Sequence, residues 1–253
     1  MKATGKWKVL RYKGGESSEF EDTVAQEKRV RISINGREVL RIYCTPLQIR
    51  ELAVGLIMTE GIAEGLCTER MSILYGEEIE VDVPAEGEVR AGGASITSGC
   101  VGGVTFKKDL TDTAKGERTT VTPSAVTGLF RKFHRRSSLY ELTGCVHSAA
   151  LSDGEGIVCF AEDIGRHSAV DKVLGSAVLE GIDPRGMIML ASGRLSSEIV
   201  AKCARWAVPI VVSRTAPTAL ALEIAARTGV TVVGFVRGDR MNVYTHPERI
   251  TAG

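Results

Sequence analysis

Cys100 stands in the run Ser95-Ile-Thr-Ser-Gly-Cys-Val-Gly-Gly103, a thiol set among three glycines. Gly99, Gly102 and Gly103 remove side-chain cover and widen the allowed backbone angles. This setting predicts a movable, exposed sulfur, suited to act as a nucleophile or to carry a sulfur atom. A second set of candidates recurs along the chain. Glu162-Asp-Ile-Gly-Arg-His167, Ser192-Gly-Arg194, Ser213-Arg-Thr215 and Arg237-Gly-Asp-Arg240 each follow an apolar run. Each contains glycine or a small hydroxyl residue, and each carries arginine. Arginine presents a fixed fork of N–H donors that matches phosphate.

The elements that must position these residues change character near the middle of the chain. Alternating apolar and polar residues over 27–43 flank Asn35-Gly36, a strong hairpin signal. A helix should follow, with Thr45 as N-cap, Pro46 in its first position and Gln48 completing a capping box. Its stripe of Leu47, Leu52, Leu56 and Ile57 should face a core, and Gly61 should end it. Short strands are expected within 71–92. Residues 108–119 are polar and read as a link, after which Thr122-Pro123 opens a helix to about Arg136.

From 145 onward, a hairpin around Asp153-Gly154 precedes apolar strands at 187–191, 208–212 and 230–236. Helical segments at 168–181, 195–207 and 217–228 alternate with them. Such alternation indicates parallel strands buried on both faces, hence an α/β layered domain. In open α/β sheets the ligand crevice lies off the carboxyl ends of the strands. Arg166, Arg194, Arg214, Arg237 and Arg240 converging there would suit a polyanion such as a phosphate or pyrophosphate. The alternative is ordinary surface turns whose arginines pair with Asp163, Asp171, Glu198 or Asp239.

Other candidates weigh less. Cys145 and His147 form a C-x-H with no second pair, which favours packing or hydrogen bonding over metal ligation. His167, beside Arg166 at a helix start, suits acid/base work or phosphate donation. His134 lies among Arg131, Lys132, Arg135 and Arg136 on a basic helix face open to solvent or a partner. The six cysteines form no C-x-x-C pair, so reduced thiols are expected, and all but Cys100 read as core. No metal site is expected, and the H-x-E with P-C-x-x-C signature of zinc deaminases is absent.

The chain has 253 residues with 32 basic and 31 acidic side chains, a net charge of +1 that argues against a broad nucleic-acid surface. No apolar run approaches the roughly 18–20 residues of a membrane span. The first residues lack the apolar stretch of a signal peptide. A cytoplasmic protein bound to neither membrane nor nucleic acid is therefore expected.

Six segments, in order from about residue 27 to the C-terminus, resemble the FdhD family of formate dehydrogenase accessory proteins. They are Glu51-Leu-Ala-Val-Gly-Leu-Ile-Met-Thr-Glu-Gly61, Thr143-Gly-Cys-Val-His-Ser-Ala-Ala150, Glu162-Asp-Ile-Gly-Arg-His-Ser-Ala-Val-Asp-Lys172, Ser192-Gly-Arg-Leu-Ser-Ser-Glu198, Ser213-Arg-Thr-Ala-Pro-Thr218, and Gly234-Phe-Val-Arg-Gly-Asp-Arg240 with Asn242-Val-Tyr244. The resemblance implies a sulfurtransferase, or sulfur carrier. It would take sulfur as a persulfide from a cysteine desulfurase and pass it to the bis-molybdopterin guanine dinucleotide cofactor, activating formate dehydrogenase.

The same resemblance implies a homodimer and two domains. A smaller α+β domain would span 1–120 and end in the Cys100 loop. A cytidine-deaminase-like domain, three-layered with a mostly parallel sheet, would span 121–253 and bind a GDP-like nucleotide moiety. Cys100 matches the first position of the family's C-x-x-C motif. Phe235, Val236, Arg237, Gly238, Asp239 and Arg240 match the stretch assigned to the molybdenum cofactor. Gly103 replaces the second motif cysteine, which keeps open a cofactor-binding chaperone without sulfur transfer. A single thiol still suffices to accept and donate one sulfane sulfur.

Overall fold

The computed structural model describes residues 1–89 and 119–251. Cys100, Gly103 and the polar stretch 108–118 lie outside the described residues. Strands β1 (Thr4–Lys13) and β2 (Glu16–Ala25) pair as a separate antiparallel hairpin, which the sequence reading did not anticipate. Their side chains are almost all exposed or half-buried, so no continuous apolar alternation advertises them.

A four-stranded sheet follows, ordered β4 (Arg37–Cys44), β3 (Lys28–Ile34), β6 (Ile79–Asp82), β5 (Ser72–Tyr75). Asn35 and Gly36 turn the β3–β4 hairpin with φ of 53° and 77°, the paired positive angles such a turn requires. Asn35 also exchanges amide hydrogen bonds with Ala85, at 2.9 and 3.1 Å. Helix α1 (Ile49–Thr59) packs Leu52, Leu56 and Ile57 against Val30, Ile32 and Val81 of this sheet.

The start of α1 departs from expectation. The helix begins at Ile49, its N-cap is Gln48 in the left-handed region, and Leu47 is exposed. Thr45 does not cap because its polar atoms are committed elsewhere. Its amide donates to Asp163 Oδ2 at 3.1 Å, its hydroxyl accepts from the Ile164 amide at 3.1 Å, and its carbonyl accepts from Lys172 Nζ at 3.0 Å. Tertiary bonds to a distant segment thus outcompete the local capping box. Gly61, with φ of 63°, follows the helix end as expected.

The second sheet has six strands in the order β12 (Arg240–Val243), β11 (Thr231–Arg237), β10 (Ile210–Ser213), β9 (Ile188–Ala191), β7 (His147–Ser152), β8 (Ile157–Asp163). Strands β9, β10 and β11 run parallel. The sheet is mixed rather than mostly parallel, because β7 pairs antiparallel with both β8 and β9, and β12 folds back on β11. Tight hairpins join β7 to β8 and β11 to β12, whereas each parallel step needs a crossover helix. Helices α4 (Arg166–Leu179), α5 (Ser197–Arg205) and α6 (Ala219–Thr228) share one core with the sheet. Helix α2 (Pro123–Arg135) packs Val126, Leu129, Phe130 and Phe133 into a second core with Ala150, Leu190, Val212 and Val233. Thr122 caps α2 by accepting from the Ala125 amide at 3.2 Å, as its sequence predicts. A short helix, α3 (Ser138–Thr143), leads into β7.

The two layered units meet where α1 crosses α4. Gly55 and Gly175 sit at that crossing, and a Cβ on either would overlap the facing backbone. Beside it, buried Lys202 reaches Asp171 at 2.6 Å and Glu60 at 2.8 Å, while Thr59 donates to Asp171 at 2.7 Å. Lys172 and Asp163 form a second fully buried pair at 2.7 Å. Burial raises both aspartates, opposed by the facing ammonium groups. Removing one partner from such a pair costs about 3–5 kcal/mol.

Candidate functional site

Register places one end of the six-stranded sheet at the centre of the site. His147 pairs with Asp163, Ala149 with Ala191, Ala191 with Ser213, and Val212 with Val233. The start of β7 and the carboxyl ends of β8 to β11 therefore share an edge, and the arginine-bearing turns leave from it. These turns are tied together. Ser213 Oγ donates to the Gly193 carbonyl at 2.8 Å, and Leu195 exchanges backbone bonds with Ala216 and Thr218. The Phe235 amide donates to the Thr215 carbonyl at 3.1 Å.

Phe235 holds a left-handed φ of 53° inside a bulge of β11. That conformation is strained for an aromatic residue and is characteristic of sites where function re-aims a side chain. Gly234 is required beside it, since a Cβ there would stand 2.9 Å from the Thr215 carbonyl oxygen and 3.0 Å from the Tyr244 ring.

On the α4–α5 side, His167 Nε2 lies 2.8 Å from Glu198 Oε2 and 3.0 Å from Ser196 Oγ. Burial, then Arg166 and Lys202, push this imidazole well below its ordinary range, against the pull of the Glu198 carboxylate. The neutral ring donates its Nε2 hydrogen to Glu198. Burial and then Arg166 and Arg194 likewise lower His147. Ser192 Oγ accepts from the Ser148 amide at 2.9 Å and lies 3.3 Å from His147 Nδ1. Gly193 makes room for this grouping, because a Cβ would stand 3.2 Å from both His147 Nδ1 and Arg166.

On the α2–α3 side lies a cavity of about 230 Å³. Phe130, Phe133 and Tyr140 form its apolar walls. Ser137, Ser148, Ser192, His147 and Arg214 supply its polar lining, and Cys145 opens onto it. Glu162 holds α3 in place by accepting from the amides of Leu139 and Tyr140, both at 3.0 Å. The volume lies below the roughly 300–1,000 Å³ of sites for drug-sized ligands. It suits a fragment, and a larger ligand would have to continue along the strand ends.

The structure gathers Arg166, Arg194 and Arg214 around His147, and Arg166 also acts on His167. Arg237 and Arg240 face each other across the exposed β11–β12 turn, with Gly238 and Asp239 also exposed between them. They stand beside the cavity's strand ends rather than in its lining. Val236 is buried in the core that includes α2. Three of the four acids offered as arginine partners are engaged by other groups: Asp163 by Lys172, Asp171 by Lys202, and Glu198 by His167.

Two features escaped sequence reasoning. Cys145, read as core, is exposed. The Ser192–His147 contact joins residues 45 positions apart and has no local signal. Only the hydroxyl at the exit of an apolar strand hinted at it. His147 itself is hydrogen-bonded, as the sequence favoured.

An α/β protein with a donor-rich, cation-lined strand edge is the class that fold and site define. The FdhD/NarQ family model matches residues 25–251, and the chain belongs to that family. It is 35% identical to the sulfur carrier protein FdhD of Bacillus subtilis (strain 168), over 98% of both chains. It is 33% identical to that of Listeria innocua, over 99% of this chain and 100% of the other. A crystal structure from Desulfotalea psychrophila, described as a formate dehydrogenase accessory protein, superposes with a TM-score of 0.82 at 28% identity. That match covers 99% of this chain and 100% of the other. Among the described residues, no helix is long and apolar enough to cross a membrane.

Proposed function

We propose that this chain is a sulfur carrier that serves the maturation of formate dehydrogenase. Family membership and the names borne by its relatives support that class. The observation that carries the binding half of the reading is the grouping of Arg166, Arg194 and Arg214 at one sheet end, next to the strained Phe235 bulge. Fixed cationic and N–H donors at strand ends suit pyrophosphate oxygens. The client on this reading is Mo-bis(molybdopterin guanine dinucleotide), carried as substrate. Phe235, Arg237, Gly238, Asp239 and Arg240, anchored by core-buried Val236, take its GDP-like guanine nucleotide, and the cavity admits only part of it.

Cys100 is the sulfur-carrying residue of this reading. Its thiolate attacks the terminal sulfur of a cysteine desulfurase persulfide. The S–S bond of the donor breaks, and the desulfurase cysteine leaves with the electron pair as thiolate. The persulfide on Cys100 then supplies the cofactor's sulfur, and Gly103 means that no motif partner can divert it into a disulfide. The reading includes a cytoplasmic homodimer, a cytidine-deaminase-like unit over 121–253 and a smaller α+β unit over 1–120.

Gly103 also sustains a second reading, a molybdenum-cofactor-binding chaperone that performs no sulfur transfer. Incubation with a cysteine desulfurase and cysteine, followed by mass spectrometry, separates the two. One added sulfur on the Cys100 peptide, together with inactive formate dehydrogenase when Cys100→Ala replaces the wild type, is the result expected of a carrier. An unmodified Cys100 peptide, with full activation by Cys100→Ala, leaves the chaperone.

A further inference from the structure

Sulfur can be loaded only onto a thiol that a donor can reach, and four of the five described cysteines are buried. Burial pushes the thiols of Cys44 and Cys203 up to about 12 and that of Cys159 up to about 11. Such thiols are almost wholly protonated and inert near neutrality. Cys67, also buried, lies 2.7 Å from an Arg70 guanidinium nitrogen and lines no part of the cavity. Cys145 is both exposed and on the cavity lining.

The cavity itself is built for an anion. Ser137 and Ser148, each 3% exposed, line it with their hydroxyl oxygens 2.8 Å apart. Two hydroxyl hydrogens share that contact and only one is used in it, so the other has no acceptor among the described residues. Arg214 adds a guanidinium for which the described residues supply no ion-pair partner, and the His147 imidazole lines the cavity beside it. Among the described residues, no carboxylate lines the cavity. A buried donor lacking an acceptor is costly, so an anionic ligand is favoured here on hydrogen bonding as well as on charge.

We propose that Cys145 is a second sulfur-accepting thiol, and that the cavity holds its persulfide anion. The inference rests on the sulfur-carrier reading, because the donor is a persulfide loaded on this chain or presented to it. The Cys145 thiolate attacks the terminal sulfur of the donor R–S–SH, and the donor's S–S bond breaks. R–S⁻ departs with the electron pair and takes up a proton, leaving a persulfide on Cys145. The exchange transfers one sulfur atom with no net oxidation and needs no further reactant. Arg214 and the spare serine hydroxyl then donate to the terminal sulfur, with the His147 ring beside them.

The test loads the full chain with a cysteine desulfurase and cysteine, alkylates it rapidly and reads both cysteine peptides by mass spectrometry. The inference expects one added sulfur on the Cys145 peptide. Ser148→Ala, or Ser137→Ala should the first fail to fold, should lower that signal severalfold. Cys145→Ala, at an exposed position, should fold normally and still show sulfur on Cys100. A Cys145 peptide that stays unmodified while the Cys100 peptide gains sulfur overturns this inference and leaves the carrier reading standing. Sulfur on neither peptide overturns both.

Discussion

The amide of Phe235 donates to the carbonyl of Thr215 across 3.1 Å, joining the bulge of β11 to the turn that leaves β10. Through this bond and those among residues 193–218, the exits of three parallel strands form one connected rim. Rigid placement of donors at such an edge is what a phosphate-binding site requires.

Gly234→Ala tests the rim directly. The added Cβ would press on the Thr215 carbonyl and the Tyr244 ring, so β11 must move away from the turn. A loss of about 1–3 kcal/mol is expected for such overpacking, or about 2–4 °C in melting temperature for each kcal/mol. GDP binding should weaken with it. An unchanged melting curve would show that the rim yields freely.

Arg237→Ala and Arg240→Ala test the hairpin tip as a nucleotide contact. Hydrogen bonds to charged groups contribute about 1.5–3 kcal/mol, so each replacement should raise the GDP dissociation constant at least about tenfold. The wild-type affinity should fall as salt is added. A calorimetric titration that finds unchanged affinity in the double variant removes the tip from the site.

Gly55→Ala and Gly175→Ala test the α1–α4 crossing. Each Cβ would overlap the backbone carbonyl of the facing helix, Asp171 for the first and Glu51 for the second. We expect about 3 kcal/mol of destabilisation from either. The double variant should cost clearly less than the sum, because one separation of the helices relieves both overlaps. Additive losses in chemical denaturation would show two independent defects.

The histidines predict a pH dependence with a definite sign. His147 and His167 are lowered in the folded chain, so below about 6.5 the unfolded chain binds more protons. Their contribution to stability is complete above that value and is lost as pH falls toward their folded values. Melting temperature should therefore decline from about pH 6.5 downward, and His167→Gln should flatten the decline. An unchanged slope in that variant would assign the acid sensitivity to other groups.

Much of the architecture was legible because its causes are local. Asn35-Gly36 specifies its turn through backbone angles, Thr122-Pro123 specifies a cap, and the apolar runs ending at Ala191, Val212 and Val236 specify buried strands. The α1 start was not legible, because Thr45 is claimed by Asp163, Ile164 and Lys172 from more than a hundred residues away. The β1–β2 hairpin escaped because its exposed faces lack an apolar period.

The candidate site divides in the same way. By itself the sequence determined which residue types leave each strand, since arginine, glycine and hydroxyl residues after an apolar run are a local pattern. It also placed a lone thiol, Cys100, among glycines. Only the tertiary structure decided that Arg166, Arg194 and Arg214 meet around His147 while Arg237 and Arg240 stand on an exposed tip. It alone brought Cys145 to a cavity. The physical reason is register: neighbours across a sheet are set by strand pairing between distant segments, and no local spacing encodes which turns will share an edge.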